Sequence, residues 1–86
     1  MTGAASDPQL RRLRWQCRRG MLELDLLLTG FLEIGYQDLD EQEKRAFTRL
    51  LDYQDQILHD WLMGQAVAAD RELRELVPRI RDAARR

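Results

Sequence analysis

The chain has 86 residues and a mass of 10.2 kDa, which fits a single domain over 1–86 and leaves no room for a catalytic cleft between domains. The net charge is −1, but residues 1–20 carry five arginines against one aspartate, residues 21–60 carry ten acids against three bases, and residues 61–86 carry six arginines against four acids. This alternation of sign favours docking on a protein over binding to nucleic acid or to a membrane, both of which are uniformly anionic.

The opening residues and the single cysteine indicate the compartment. Met1 to Pro8 lack both the charged start and the apolar run of a secretory signal, and no stretch of the chain approaches the roughly 18 apolar residues of a membrane span. One cysteine excludes an internal disulfide framework and fits a reducing environment. We therefore expect a cytoplasmic protein, complete as given, whose residues 1–7 are flexible.

Helix one is predicted to begin at Asp7-Pro8, with the aspartate as N-cap and the proline in the first helical position. Leu10, Leu13 and Cys17 follow at the spacing of one helical face and predict its buried stripe. We expect Cys17 to be a buried, inert thiol. Trp15 lies off this stripe, where it either packs on another element or stays partly exposed.

A tight corner is predicted where helix one ends and helix two begins. Gly20 suits the residue after a helix because it adopts positive φ without penalty, and Arg18 and Arg19 suit the last turn before it. Glu23 and Asp25 then fall in the first turns of helix two, where carboxylates are favoured. Since they point about 200° apart, they cannot form an acid/base pair, and we expect one to face the arginines and the other a different surface.

Helix two carries too many apolar residues for one face, so we expect it to be the central and most enclosed helix. Gly30 predicts a bend or a split within it, and Gly35-Tyr36 its end. The apolar residues are Met21, Leu22, Leu24, Leu26, Leu27, Leu28, Phe31, Leu32 and Ile34.

Three further helices are predicted. Asp40 and Glu43 have the spacing of a capping box and predict the start of helix three. Helix four is predicted to follow Asp52 or Asp55 and to stop at Gly64, before a loop over residues 65–69. The predicted core faces are Ala46, Phe47, Leu50 and Leu51 in helix three and Ile57, Leu58, Trp61 and Leu62 in helix four.

Asp70 is predicted to cap helix five, which buries Leu73, Leu76, Val77 and Ile80. Pro78 removes the hydrogen bond to Arg74 and is expected to kink or restart this helix. Arg85-Arg86 should fray. The chain is therefore predicted to be all-α, a small single-domain bundle of about five helices.

No residue pattern in the chain indicates catalysis or a metal site. His59 is the only histidine and is predicted on the wet face of helix four, without a nucleophile or acid partner. Cysteine and histidine residues lack metal-ligand spacing, and no glycine-rich loop is present to hold phosphate. We expect a protein that is not an enzyme and that binds no metal.

Residues 17–25, Cys-Arg-Arg-Gly-Met-Leu-Glu-Leu-Asp, resemble the Arg-Gly-x-x-Glu signature of the succinate dehydrogenase assembly factor family. Trp15 precedes the signature at the expected distance, residues 39–51 open helix three as in bacterial members, and Trp61-Leu62-Met63 closes helix four in the same way. The resemblance extends over roughly residues 11–80 and implies an all-helical bundle.

Members of this family promote covalent attachment of FAD to the flavoprotein subunit of succinate dehydrogenase. The resemblance therefore implies an assembly factor that binds this subunit, or the flavoprotein of fumarate reductase, with the FAD attached to the client. Because the chain has no phosphate-binding loop, we expect it to bind no cofactor stably itself. We expect the chain to act as a monomer.

The resemblance also implies the docking residues: Arg19, Gly20 and Glu23, with Arg18 and Asp25 as neighbours. In this interpretation Gly20 lets the client approach the backbone, Arg19 pairs with a carboxylate or carbonyl of the client, and Glu23 pairs with a client base or holds Arg19 in place. The alternative is that these residues only cap and staple the corner, and the two roles are compatible.

Two other function classes remain open from the sequence. The arginines at positions 11, 12, 14, 18 and 19 would serve a nucleic-acid-binding or regulatory helical module, which strongly salt-dependent retention on DNA or RNA would reveal. A self-associating scaffold would form a concentration-dependent dimer.

Overall fold

The computed structural model describes residues 8–84, so the predicted Asp7 cap, the flexibility of residues 1–7 and the fraying of Arg85-Arg86 lie outside the described residues. Five α-helices follow one another, with no strand in this part of the chain, which confirms the predicted all-α bundle. None of these helices is both long and apolar enough to cross a membrane. The helices are α1 (Pro8–Gln16), α2 (Leu22–Ile34), α3 (Glu41–Leu50), α4 (Asp55–Leu62) and α5 (Arg71–Ala83), with one 3-10 turn at Tyr36–Asp38 between α2 and α3.

The C-terminal helix α5 packs against α2, α3 and α4, while α2 also contacts α1 and α4. Phe47 of α3 is fully buried, and its ring centroid lies 5.4 Å from that of Phe31 and 5.6 Å from that of Tyr36. The predicted stripes of α1, α3 and α5 line the same core. Their buried members are Leu13, Cys17, Ala46, Phe47, Leu50, Leu51, Leu73, Leu76, Val77 and Ile80.

Side-chain caps begin α3 and α5 as predicted. The Glu43 backbone N–H donates to Asp40 Oδ1 over 2.7 Å, and the Asp40 N–H donates to Glu43 Oε1 over 2.9 Å, which completes the capping box. At the start of α5, Asp70 accepts a hydrogen bond from the Leu73 N–H. That bond, followed by the ion pair with Arg49, holds the pKa of Asp70 below its ordinary value of 3.8.

Neither Gly30 nor Pro78 divides its helix, so the predicted split and restart are wrong. Helix α2 is continuous from Leu22 to Ile34, and α5 is continuous from Arg71 to Ala83. Each helix buries apolar residues before and after the weak position, so packing on the rest of the bundle keeps both helices continuous and outweighs the local propensity.

The expectation that α2 is the most enclosed helix is wrong, because only one of its faces is covered. Leu24, Leu28, Phe31 and Leu32 are buried. On the opposite side, a set of large apolar side chains meets solvent: Leu22 is 74 % exposed, Leu26 64 % and Ile34 46 %. The many apolar residues of α2 are therefore divided between a face that the bundle covers and a face that it leaves exposed.

Helix α4 differs from its prediction at Ile57, which is exposed. Leu58 and Leu62 are buried, and Trp61 is half-buried against them. At 100° per residue, Ile57 stands about 120° from the line midway between Leu58 and Leu62, which places it toward solvent. Trp61 and His59 stand about 80° to either side of that line, so each lies at the margin of the core.

Cys17 is fully buried, as predicted, and burial raises the pKa of its thiol from 9.0 to about 12, against the opposing influence of Arg19.

We expect labelling of the Cys17 thiol by a disulfide reagent at pH 8 to be at least about 100-fold slower in the folded than in the urea-unfolded protein. Because the folded pKa is raised, the folded state should also lose stability as the pH climbs from 9 toward 12. A Cys17→Ala variant should lack this component, and fast labelling of the native thiol would contradict the prediction.

Candidate functional site

The corner between α1 and α2 contains all five residues predicted for docking. Helix α1 ends at Gln16, four residues earlier than Gly20, so Arg18 and Arg19 lie in the connection and not in the last helical turn as predicted. The Cys17 N–H still donates to the Leu13 carbonyl over 3.0 Å, but the Arg18 N–H reaches back only three residues and the helical pattern then stops.

Asp25 explains why the helix stops here. Its carboxylate accepts hydrogen bonds from the Arg19 backbone N–H over 2.7 Å and from the Gly20 N–H over 3.3 Å, so these groups are bonded to α2 instead of to carbonyls of α1. Gly20 has φ +88°, which confirms the predicted left-handed turn. Asp25 thus faces the arginine corner, as was expected of one of the two acids.

Arg19 holds this corner to the rest of the bundle. Its Nε donates to Asp55 Oδ1 over 2.7 Å at the first residue of α4, and Nη2 donates to the Tyr53 carbonyl over 2.7 Å. Nη1 donates to the carbonyls of Gln16 over 2.9 Å and Leu51 over 2.8 Å. One guanidinium therefore joins the α1–α2 connection to the α3–α4 connection.

These internal bonds define what Arg19 does in the free protein. Its side chain is 15 % exposed, and the four hydrogen bonds direct it into the bundle. Its forked donor geometry meets a carboxylate and three carbonyls of this chain. The arginine of the signature is thus a structural clamp that holds the shape of the corner.

Glu23 points to a different surface from Asp25, as predicted, and its partner is His59. The His59 Nε2 lies 3.4 Å from Glu23 Oε1, a hydrogen bond when that nitrogen carries the proton. The Glu23 side chain is 72 % exposed and that of His59 is 20 % exposed, so the prediction of a surface histidine is wrong. The cause is tertiary: the start of α2 lies over this side of α4.

Arg18 and Trp15 form the outer side of the corner. Both are exposed, and the guanidinium carbon of Arg18 lies 5.9 Å from the centroid of the Trp15 ring. The three arginines of α1 itself, Arg11, Arg12 and Arg14, are also exposed. This side of the corner is therefore basic and carries one large aromatic surface.

The arrangement suits recognition of another protein. A rigid backbone turn presents one cation with an aromatic ring, at Arg18 and Trp15, and one carboxylate, at Glu23. Within residues 8–84, no group of three histidine, cysteine or acidic side chains converges as metal ligands. Tryptophan and arginine are the side chains most often found at the energetic centre of protein interfaces.

Sequence reasoning missed Asp55 as the partner of Arg19 and His59 as the partner of Glu23. Each pair is separated by 36 residues in the chain. No local spacing signals such a contact, because it depends on how α4 crosses the α1–α2 corner. The only available hint was that Asp55 falls at the start of a predicted helix.

Comparison with known proteins gives consistent matches over most of the chain. A family profile described as the flavinator of succinate dehydrogenase, Sdh5, matches residues 11–84. The chain is 47 % identical over 75 residues to the FAD assembly factor SdhE of Shewanella oneidensis, covering 87 % of this chain and 92 % of the relative. It is 43 % identical over 70 residues to that of Coxiella burnetii, covering 81 % and 85 %, and 41 % identical over 78 residues to that of Pseudomonas aeruginosa, covering 91 % and 93 %.

Proposed function

The chain belongs to the family of succinate dehydrogenase flavinators, and from this membership we propose that it is an assembly factor that binds the flavoprotein subunit of succinate dehydrogenase and promotes covalent attachment of FAD to it. The observation that carries the proposal at the level of residues is the rigid corner at Arg18 to Asp25, which directs Glu23 and Arg18 outward. The flavoprotein of fumarate reductase is a second client within the same proposal.

The proposed role is assistance and not catalysis. The client forms the bond between its own side chain and the flavin, and the assembly factor binds the client conformer in which the two are aligned. Such binding shifts the population of that conformer by the difference in affinity between conformers and by no more. A hundredfold shift requires a difference of about 2.7 kcal/mol, which a few well-placed contacts supply.

The five residues predicted for docking take three roles in this proposal. Glu23 and Arg18 contact the client, because their side chains are exposed on the corner. Arg19 and Asp25 act on docking through the corner itself, since both are bonded within the chain. Gly20 has no atom within 4 Å of the position of an added Cβ, which leaves room for a client to approach the backbone turn.

FAD stays with the client in this proposal. The chain has no glycine-rich loop that would hold a pyrophosphate. Equilibrium dialysis against free FAD is a direct check, and retention of FAD at micromolar concentration would contradict this part of the proposal.

We expect Glu23→Ala to abolish most of the flavinylation that the wild-type chain supports, because the client loses the exposed carboxylate of the corner. The chain is co-expressed with the flavoprotein subunit in cells that lack their own assembly factor, and covalent flavin is measured as in-gel fluorescence of the denatured subunit. A fall of about tenfold corresponds to roughly 1.4 kcal/mol of lost interaction.

Glu41→Ala is the matched control, because Glu41 is also an exposed glutamate in the first turn of a helix, α3. It should support flavinylation as the wild type does. If the wild-type chain leaves the subunit unflavinylated, the proposed function fails. If Glu23→Ala performs like Glu41→Ala, the function stands but the assignment of Glu23 to docking does not.

A further inference from the structure

The uncovered face of α2 forms an apolar stripe that continues directly from the corner. Leu22, Leu26, Gly30 and Ile34 recur every four residues, so they follow one side of the helix over about 18 Å. Three of them, Leu26, Gly30 and Ile34, also line a shallow groove, together with Leu27, Met63, Ala83 and Ala84. Among the described residues, Glu23 is the one polar member of that lining, so the groove and the proposed docking corner share a border.

No contact among residues 8–84 accounts for glycine at the middle of this stripe. An added Cβ at Gly30 would have no neighbour within 4 Å, and its φ is not in the left-handed region. Alanine would therefore give a more stable helix without a clash. Glycine at this position exposes the helix backbone in the centre of the apolar groove, where it allows the atoms of a partner to approach closely.

The charges on this face limit what can cover it. Helix α2 has no lysine or arginine, and its exposed acids are Glu23 and Glu33. Glu33 stands at nearly the same angle around the helix as Leu22 and Leu26, and no cation pairs with it among residues 8–84. Among residues 8–84, no lysine or arginine lines the groove, and the guanidinium of Arg81 lies beside Gly64 instead.

These charges argue against a second copy of the chain as the occupant. If two stripes packed together in antiparallel register, Glu23 of one copy would face Glu33 of the other; in parallel register each glutamate would face itself. Either arrangement places like charges together as water is removed, which destabilises the contact. A partner with basic residues at the same spacing would instead form favourable ion pairs with Glu23 and Glu33.

We propose that the stripe of α2 is a second part of the client-docking surface, and that it receives an apolar helix of the flavoprotein client with a lysine or arginine at either end. This inference rests on the proposed function. The two carboxylates are ten residues apart on α2, which corresponds to about 15 Å, so the two bases of the client helix should stand about 15 Å apart as well. Apolar contact supplies affinity, and the charges fix the register.

Leu26→Asn tests the apolar contact, with Val67→Asn as its matched control. Leu26 and Val67 are both exposed aliphatic residues, 64 % and 75 %, and Val67 lies in the loop before α5, outside the groove. Affinity for the purified, non-flavinylated flavoprotein subunit of succinate dehydrogenase is measured by calorimetry. We expect Leu26→Asn to weaken binding about tenfold or more and Val67→Asn to change it less than about twofold.

Glu33→Lys tests the charges, with Glu41→Lys as its control on another helix. We expect Glu33→Lys to weaken binding at low salt and to reduce the dependence of binding on salt concentration, while Glu41→Lys leaves both unchanged. All of these positions are exposed, so the variants should unfold at the same temperature as the wild type within a few degrees, which thermal denaturation verifies.

Three results would overturn the inference. If Leu26→Asn and Glu33→Lys bind as tightly as the wild type while Glu23→Ala binds weakly, the stripe takes no part in docking and the proposed function is unaffected. If the wild type forms a dimer in sedimentation experiments that Leu26→Asn dissociates, the occupant is a second copy. If the wild type itself does not bind the subunit, the proposed function fails first and the inference with it.

Discussion

Arg19→Ala should destabilise the folded protein by about 3 kcal/mol, because the truncation leaves the Asp55 carboxylate and the carbonyls of Gln16, Leu51 and Tyr53 without their shared donor. For a domain of this size, the loss corresponds to a fall in Tm of about 10 to 20 °C. Urea unfolding followed by circular dichroism measures the free energy directly.

Arg18→Ala is the natural control, since Arg18 is the neighbouring arginine but is exposed and contacts only Trp15 among the described interactions. The Arg18→Ala variant should lower the free energy of unfolding by less than about 1 kcal/mol. Arg19→Lys should recover little, because one ammonium group cannot reach acceptors on both connections. A stability of Arg19→Ala equal to that of Arg18→Ala would mean that the clamp contributes nothing.

The Arg19→Ala variant also distinguishes a structural role from a contact role within the signature. If Arg19 acts by holding the corner, the flavinylation lost in Arg19→Ala should partly return at low growth temperature, where more of the chain is folded. Glu23→Ala should remain defective at every temperature, because it lacks a contact and not the fold. Arg19→Ala and Glu23→Ala would then both impair flavinylation, the first by destabilising the fold and the second by removing a contact with the client.

Gly35→Ala should destabilise the protein by about 2 to 3 kcal/mol, purely through crowding. A Cβ at Gly35 would stand 2.6 Å and 2.8 Å from two ring carbons of Phe31. The Phe31 ring is buried and packs against Phe47, so relieving the clash requires this packed pair of rings to shift. The φ of Gly35 is −108°, which any residue adopts, so backbone strain has no part in this effect.

Gly30→Ala is the matched comparison within the same helix and should have the opposite sign. The added methyl meets nothing within 4 Å, and alanine is the better helix former, so we expect a gain of about 0.5 to 1 kcal/mol. Thermal and urea unfolding of both variants test the pair. If Gly35→Ala is neutral, the Phe31 ring can repack around the added methyl group. If Gly30→Ala destabilises the protein, the added methyl group meets a neighbour that the structure does not place there.

Gly30 also connects stability with function. If the stripe of α2 receives a client helix, Gly30→Ala should raise Tm and at the same time weaken client binding, because the methyl group occupies space that the partner uses. A substitution that stabilises the free protein and impairs the complex is the expected mark of a residue retained for binding. The two measurements use the same purified variant.

The helices follow from the sequence alone, because their signals are local. The capping box of Asp40 and Glu43, the cap at Asp70 and the positive φ of Gly20 each follow from residues within a few positions of one another. The periodic stripes of α1, α3 and α5 indicated their core faces for the same reason, and the resemblance of residues 17–25 identified the family.

Only the tertiary structure decided which residues of the corner point inward and which face of α2 stays open. Arg19 pairs with Asp55, and His59 with Glu23, across 36 residues of chain, and no pattern within a helix encodes where α4 crosses the corner. The leucines of α2 look equally apolar in the sequence. Their burial depends on the helices packed against them, and these cover Leu24 and Leu28 but leave Leu22 and Leu26 in solvent.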